Sequence, residues 1–154
     1  MTGHSSLGTN LLELIHTDRG TGVRSLADIP IGAEVLRFEG TIVPWPDVPE
    51  AEVRHVMMDA SGGWLIPDAP ERFINHSCEP NLRFTATRGV EATRAVNAGE
   101  ELTIGYDVLE PFDIARRAEH PDWYFWDDRW SFDCRCGAAG CRRRIDRYVI
   151  LDNP

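Results

Sequence analysis

The sequence predicts a mainly β domain made of several small sheets. Eight short runs have the length and residue types of β-strands, and Gly, Pro, Asn or Asp separates most of them. Their spacing is irregular and no repeat of roughly 20 to 50 residues is visible, which disfavours propellers and solenoids. At 154 residues, the chain has the size of one ordinary domain with a short C-terminal appendage.

The predicted strands cover the first two thirds of the chain. They are residues 11–16, 23–27, 34–38, 53–58, 63–66, 82–87, 90–95 and 101–106. One helix is predicted over residues 111–119, because Pro121 favours an extended conformation at His120 and so ends the helix. A second, shorter helix is predicted after Pro49.

The charge pattern argues against broad nucleic-acid binding, because the formal net charge is -9. All 16 cationic side chains are arginine. Nine acidic residues lie between residues 100 and 128, and a short arginine-rich stretch follows at 142–147. The acidic stretch is either a solvated face or a groove matched to a basic partner, and both interpretations stay open. We expect a basic protein or peptide partner.

No run approaches the roughly 18 consecutive apolar residues of a membrane helix. Residues 1–10 are polar and lack the charged start and apolar run of a secretory signal. We therefore expect a soluble, intracellular protein, cytoplasmic or nuclear, without a membrane partner. The sequence does not indicate an oligomeric state.

The four cysteines are distributed as a cluster and one distant member. Three form Cys134-x-Cys136-x4-Cys141, and Cys78 lies far upstream. In an intracellular protein this pattern favours metal ligands over disulfides, and four thiolates suit a structural zinc ion. Two alternatives stay open: Cys78 and His76 as a nucleophile and its base, or four inert thiols.

Six aromatic residues lie within the ten residues 123–132, just before the cysteine cluster. Aromatic side chains bury large areas, so we predict that most of them pack the C-terminal appendage against the rest of the domain. One or two of them are candidates for the wall of a ligand channel.

Four segments, in chain order, resemble the SET-domain lysine methyltransferases. The first is Arg-Gly-Thr-Gly-Val at 19–23, followed by Ile-Pro-Ile-Gly-Ala-Glu-Val at 29–35. The second is Arg-Phe-Ile-Asn-His-Ser-Cys-Glu-Pro-Asn at 72–81, and the third is Gly-Glu-Glu-Leu-Thr-Ile-Gly-Tyr at 99–106. The cysteine cluster at 132–142 resembles the post-SET zinc module, and the whole resemblance runs from about residue 11 to residue 145.

The resemblance implies a β-clip-like SET fold with several small sheets, short helices and a knot-like threaded C-terminal segment. It divides the chain into an N-terminal extension (1–10), a SET core (11–107), a helical and aromatic connecting segment (108–131), and a zinc-bound post-SET appendage with the C-terminal tail (132–154).

The resemblance also implies an S-adenosylmethionine-dependent protein-lysine N-methyltransferase, with a basic peptide or a protein tail such as a histone as its substrate. Tyr106 would be the catalytic residue. The residues implied in cofactor binding are Gly20, Thr21, Gly22, Arg72, Asn75 and His76. The implied zinc ligands are Cys78, Cys134, Cys136 and Cys141.

Three positions depart from the pattern of this family. Ile104 stands where Phe or Tyr is usual, Gly105 where Asp is usual, and Arg143 where Gly is usual. Because Ile104 has no hydroxyl to restrict the pocket, we predict di- or trimethylation. Two other functions stay open: a non-catalytic SET-like binding module, and an N-methyltransferase acting on a small-molecule amine.

Overall fold

The computed structural model describes residues 9–150 and confirms a mainly β fold with several small sheets. The strands are β1 (Leu12–Thr17), β2 (Gly20–Ser25), β3 (Glu34–Arg37), β4 (Gly40–Val43), β5 (Met57–Met58), β6 (Trp64–Pro67), β7 (Asn75–His76), β8 (Leu82–Phe84), β9 (Gly89–Ala92), β10 (Thr103–Ile104), β11 (Phe132–Asp133) and β12 (Arg144–Ile145). The α-helix α1 spans Pro111–Glu119. Single 3-10 turns lie at Thr9–Leu11, Trp45–Asp47, Glu50–Glu52, Glu71–Phe73, Pro121–Trp123 and Asp128–Trp130.

The strands form two three-stranded and three two-stranded sheets within residues 9–150. The three-stranded sheets have the orders β3-β9-β8 and β4-β6-β5, and the two-stranded sheets are β1-β2, β10-β7 and β11-β12. Strands β7 and β10 pair in parallel, with Thr103 opposite Asn75 and Ile104 opposite His76. This pairing joins the two most distinctive sequence motifs side by side.

One apolar core holds most of the sheets together. Its fully buried members come from several strands and include Val23, Val35, Leu65, Val90 and Leu102. A second, smaller cluster surrounds the cysteines. The C-terminal appendage therefore packs through its own cluster, beside the main core.

The segment that contains Tyr106 lies against the loop formed by residues 75–81. Asn81 accepts a hydrogen bond from the Thr103 backbone N–H (2.8 Å) and donates one to the Glu101 carbonyl (2.9 Å). The Ser77 N–H also donates to the Ile104 carbonyl (3.0 Å). These contacts hold the third motif against the loop that contains the second motif, where the resemblance predicts that the two segments cross.

The aromatic segment packs as predicted. Phe125 and Trp130 contact Trp45 and Trp64, with ring centroids 4.9 to 5.7 Å apart. The Trp130 indole N–H donates to the Val53 carbonyl (2.6 Å), which fastens this segment to the turn before β5. The aromatic rings thus cover β6 and the loop between β4 and β5.

The helix prediction over 111–119 is confirmed at both ends. Other elements are shorter than predicted. Residues 53–58 contain only the two-residue β5, because a turn at Glu50–Glu52 continues past Val53, and the helix predicted after Pro49 is that single turn. The strand predicted over 82–87 stops at Phe84, where the chain enters a turn with Arg88 at φ 66°. Residues 1–8 of the predicted N-terminal extension and residues 151–154 of the tail lie outside the described part of the chain.

Candidate active site

A cavity of about 810 Å³ lies where the four motif segments meet. Its wall includes Thr21 of the first motif, Asn75 and His76 of the second, Tyr106 of the third, and Phe132 next to the cysteine cluster. This volume is in the range of sites that enclose a small ligand. The structure therefore brings together residues that lie more than a hundred positions apart in the sequence.

Glycines let the backbone of β2 come close to the second motif. A Cβ on Gly22 would lie 2.6 Å from a Glu101 carboxylate oxygen and 3.0 Å from the Asn75 side-chain nitrogen. Gly20 has a φ of 97°, a conformation that glycine adopts without strain, and open space lies beyond its Cα. We call the backbone of Gly20, Thr21 and Gly22 the ledge; its central residue, Thr21, lines the cavity.

Hydrogen bonds of Asn75, Arg19 and Glu101 hold the ledge against the loop formed by residues 75–81. Asn75 donates to Glu101 (2.8 Å) and to the Thr21 carbonyl (3.2 Å). Arg19 donates to the other Glu101 oxygen (3.0 Å) and to the His76 carbonyl (2.7 Å). With its amide nitrogen occupied, Asn75 still offers its side-chain carbonyl oxygen as an acceptor to a ligand.

Tyr106 is held at both ends. Its hydroxyl donates to the Ile74 carbonyl (2.5 Å), and its backbone N–H donates to His76 Nδ1 (3.0 Å). The residue is 44% exposed, because one side of the ring faces the open cavity, whereas the hydroxyl end is crowded. Burial raises the pKa of the hydroxyl, so it stays protonated.

His76 connects Tyr106 to the cysteine cluster. Because Nδ1 accepts the Tyr106 N–H, the proton of the neutral ring belongs on Nε2, which lies 3.5 Å from the Cys78 sulfur. Burial, together with the charges of Arg142 and Arg19, lowers the pKa of His76 to about 4. The ring is therefore neutral, and Nε2 is a donor to sulfur.

The four cysteine sulfurs form one compact group. All four lie within 4.8 Å of one another, and the Cys78 and Cys134 sulfurs are 3.8 Å apart. A tetrahedral zinc ion with Zn–S bonds of about 2.3 Å places its sulfurs ~3.8 Å apart. Backbone N–H groups of Arg142 and Cys78 donate to the sulfurs of Cys78 (3.3 Å) and Cys136 (3.5 Å). The donor set and its spacing fit a closed four-thiolate site.

The thiols differ in acidity. Burial raises the pKa of Cys78 and raises that of Cys134 to about 12. Cys136 is also opposed by burial, but hydrogen bonds from the Cys78 and Ala138 N–H groups and neighbouring thiols lower its pKa to about 6. The Cys78–His76 contact exists, yet a buried thiol with a raised pKa does not behave as a nucleophile. The geometry favours the metal-ligand interpretation.

Arg72, a predicted cofactor residue, and Phe132, from the aromatic segment, both line the cavity. Arg72 lines the cavity, but its guanidinium pairs with Glu52 (2.6 Å). Its predicted role near the cofactor stays a prediction. Phe132 contacts the rings of His76 and Tyr106 with centroids 5.5 and 6.1 Å apart, so it is one of the aromatic residues that line the channel.

The three departures from the family pattern have clear positions. Ile104 is buried and borders the cavity beside Tyr106. At Gly105 a Cβ would collide with the Val108 side chain, so the usual Asp has no room. Arg143 has a φ of 67°, the left-handed conformation that favours the usual Gly.

Sequence reasoning did not single out Arg19 and Glu101, although both belong to the quoted motifs. Arg19 precedes the Gly-x-Gly of β2, and Glu101 is the second glutamate of the third motif. Their places inside these two motifs were the available signal, which marks each residue but not their pairing. Their ion pair, 3.0 Å long, joins positions 82 residues apart.

A profile of the family described as "SET domain" matches residues 20–107, which is more than half of the chain. This chain belongs to the SET-domain family. The mouse histone-lysine N-methyltransferase EHMT1 is 34% identical over an alignment 152 residues long, and the match covers 85% of this chain and 11% of that protein. The Arabidopsis thaliana histone-lysine N-methyltransferase ASHH3 is 27% identical over an alignment 154 residues long, and the match covers 87% of this chain and 38% of that protein.

Among solved structures, KRYPTONITE in complex with mCHH DNA, an H3(1–15) peptide and SAH is similar to this SET-domain chain. The TM-score is 0.59 at 29% identity, and the match covers 86% of this chain and 29% of KRYPTONITE. The chain spans about a tenth of the length of the EHMT1 proteins. No helix within residues 9–150 is long and apolar enough to cross a membrane.

Proposed function

We propose that this SET-domain chain is an S-adenosylmethionine-dependent protein-lysine N-methyltransferase. The observation that carries the proposal is Tyr106, whose ring faces the cavity while its hydroxyl and backbone N–H are both fixed. The named relatives are histone-lysine N-methyltransferases, and a similar solved structure contains SAH, the demethylated form of this cofactor.

The cofactor would bind along the β2 ledge. Gly20 and Gly22 flank Thr21, which lines the cavity, and the Asn75 side-chain carbonyl oxygen can accept a hydrogen bond from an ammonium group. When bound, S-adenosylmethionine supplies a methyl group carried by a positively charged sulfonium. The neutral His76 ring and the Arg19–Glu101 pair hold the surrounding backbone without adding an uncompensated charge.

Tyr106 would act by position. Its hydroxyl oxygen stays protonated and directed at the Ile74 carbonyl, so it can accept polarised C–H contacts but does not remove a proton from the amine. The ring faces of Tyr106 and Phe132 favour a passing cation. The incoming lysine would lose its proton to solvent before it enters this narrow space, and alignment would supply much of the rate.

We propose that the substrate is a basic peptide or a protein tail such as that of a histone, and that the reaction takes place inside the cell. The support comes from the relatives, one of which is seen with an H3(1–15) peptide. Of the nine acidic residues between 100 and 128, only Asp113 borders the cavity, so most of this stretch fits the interpretation as a solvated face. Ile104 leaves the pocket without a hydroxyl, which supports di- or trimethylation.

The proposal is tested by incubating an H3(1–15) peptide with the chain and S-adenosylmethionine and reading the product by mass spectrometry. We expect methyl groups on a lysine, and none on a peptide in which arginine replaces every lysine. Tyr106→Phe should lower kcat by roughly 10²-fold with cofactor affinity retained. Tyr124→Phe is the comparison variant at another tyrosine of the cavity wall: it removes a hydroxyl that bonds to Asp113 of α1 (3.1 Å) and to no motif residue, so kcat should fall less.

A parent chain that binds the cofactor but methylates no lysine would contradict the enzymatic proposal. Product formed only from free amines would favour the small-molecule alternative. A chain that binds neither cofactor nor its SAH product would favour the non-catalytic binding module.

A further inference from the structure

A buried ion pair joins the residue after Tyr106 to the residue after Cys141. Both oxygens of Asp107 accept from Arg142 Nη2, at 2.6 and 2.5 Å. Asp107 is 1% exposed, and Arg142 is its only ion-pair partner within the described residues. Neither residue of the pair lines the cavity, and neither belongs to the β2 ledge that is proposed to bind the cofactor.

The attraction within this ion pair adds little to the free energy of unfolding, because desolvation of the two charges opposes it. Burial raises the pKa of Asp107 even though Arg142 opposes that change, so the attraction does not fully offset desolvation. Buried ion pairs of this kind are often no more stabilising than apolar residues of similar volume. Its value to the protein therefore lies in geometry.

The backbone of Arg142 is fixed by two hydrogen bonds. Its backbone N–H donates to the Cys78 sulfur (3.3 Å), and its carbonyl accepts from the Arg144 N–H (2.7 Å) across a γ-turn centred on Arg143. Its guanidinium thus starts from backbone that is fixed by the cysteine cluster.

Asp107 is the chain neighbour of Tyr106. Its carbonyl accepts from the Val149 N–H (2.8 Å), while the Tyr106 N–H is held by His76, whose other nitrogen contacts the Cys78 sulfur. Two routes therefore link Tyr106 to the cysteine cluster. Its own N–H leads through His76 to Cys78, and the next residue, Asp107, leads through Arg142 to Cys78.

We propose that Asp107 and Arg142 are a positioning pair that sets the place of Tyr106 relative to the cysteine cluster. This inference rests on the proposed function, because the group being positioned is the proposed catalytic tyrosine. Gly105 leaves the other side of Tyr106 without a side chain to fix it, so the constraint falls on position 107.

The test compares Asp107→Asn, Arg142→Lys, and the double variant Asp107→Asn/Arg142→Gln. Arg144→Gln is the matched control, because Arg144 belongs to the same module but forms an exposed ion pair with Asp133 (3.1 Å). Each chain is measured for zinc content, urea unfolding, and kcat and KM on the H3(1–15) peptide with saturating S-adenosylmethionine.

Positioning predicts a specific pattern. Asp107→Asn should lower kcat by roughly 10- to 100-fold, the size of effect that a displacement of about 1 Å produces, while KM and zinc content change little. The double variant removes both buried charges, so its stability should recover, but kcat should stay low. Arg142→Lys should fall between the parent and Asp107→Asn, because the ammonium group keeps the positive charge but not the planar guanidinium.

A readout without turnover separates this inference from the proposed function. Hydrogen exchange of the peptide spanning residues 103–109, measured by mass spectrometry, should quicken in Asp107→Asn and stay unchanged in Arg144→Gln. Unchanged exchange, or a double variant whose kcat returns to the parent value with its stability, would overturn the positioning role. A parent chain that makes no methylated product contradicts the proposed function, and exchange then decides the positioning role by itself.

Discussion

Arg143 occupies a backbone conformation that suits glycine, so Arg143→Gly should stabilise the protein. The residue is the centre of a γ-turn at φ 67°, with the Arg144 N–H bonded to the Arg142 carbonyl (2.7 Å). This type of γ-turn is rare and strained for residues with a side chain. The exposed Arg143 side chain has no ion-pair partner within residues 9–150 that would be lost.

The expected magnitude follows from two opposing effects. A left-handed conformation costs a non-glycine residue roughly 1–2 kcal/mol. Glycine, in turn, loses more backbone entropy on folding, which costs about 0.5–1 kcal/mol. The net gain in the free energy of unfolding should therefore be about 0.5–1 kcal/mol, or a rise in Tm of roughly 1–4 °C.

Urea unfolding at one fixed zinc concentration measures this gain, since zinc itself shifts the apparent stability. Arg143→Ala is the first control and should show no gain, because alanine keeps the strained φ. Arg144→Gly is the second, since it places the same new residue one position later in β12, where it should destabilise by about 0.5–1 kcal/mol. If Arg143→Gly destabilises as much as Arg144→Gly, the left-handed turn is not present in solution and the reasoning fails.

Three further perturbations follow from the geometry of the site. Gly22→Ala should weaken cofactor affinity roughly tenfold, because its Cβ would lie 2.6 Å from a Glu101 oxygen and disturb the ledge. Gly105→Ala should lower kcat by collision with Val108, and Gly105→Ala/Val108→Ala should recover most of it, because the second change removes the colliding atoms. Burial raises the pKa of Glu71 in the folded protein. The parent should therefore lose stability as the pH rises from about 4.3, the ordinary pKa of glutamate, through the raised pKa of the folded state. Glu71→Gln does not titrate, so its stability relative to the parent should increase over that pH range.

Each of these has a defined measurement and a contrary result. For Gly22, the measurement is equilibrium binding of S-adenosylmethionine, and the control is Gly140→Ala, whose Cβ has only ordinary contacts and should leave the affinity unchanged. Equal weakening in Gly22→Ala and Gly140→Ala would contradict the role of the ledge in cofactor binding. For Gly105, the kcat of the double variant decides, and a further fall would show that the collision is not the cause. For Glu71, urea unfolding at several pH values should show a difference that grows with pH, and a constant difference would refute the effect of burial.

Local sequence signals predicted the parts of the fold and site that depend on neighbouring residues. The helix Pro111–Glu119 was predictable because Pro121 ends it from just beyond its last turn. The motif residues Asn75, His76 and Tyr106 were predictable by resemblance, and the structure places them around one cavity.

Contacts between distant segments were not predictable from local patterns. The strand predicted over 53–58 failed because a 3-10 turn and the bond from Trp130 to the Val53 carbonyl determine the backbone there. The Arg19–Glu101 and Asp107–Arg142 pairs join residues 82 and 35 positions apart. Such pairs depend on how the sheets are arranged, which charge patterns along the sequence do not reveal.

We propose that the zinc cluster, the residues proposed to bind the cofactor and Tyr106 form one unit through Cys78 and His76. Stepwise removal of zinc with a chelator tests this claim most directly, with zinc content and S-adenosylmethionine affinity measured on the same samples. We predict one zinc ion per chain and a loss of cofactor affinity in proportion to zinc removed. Cofactor affinity that persists after the zinc is gone would contradict the claim, as would a purified chain that binds the cofactor fully and holds no zinc.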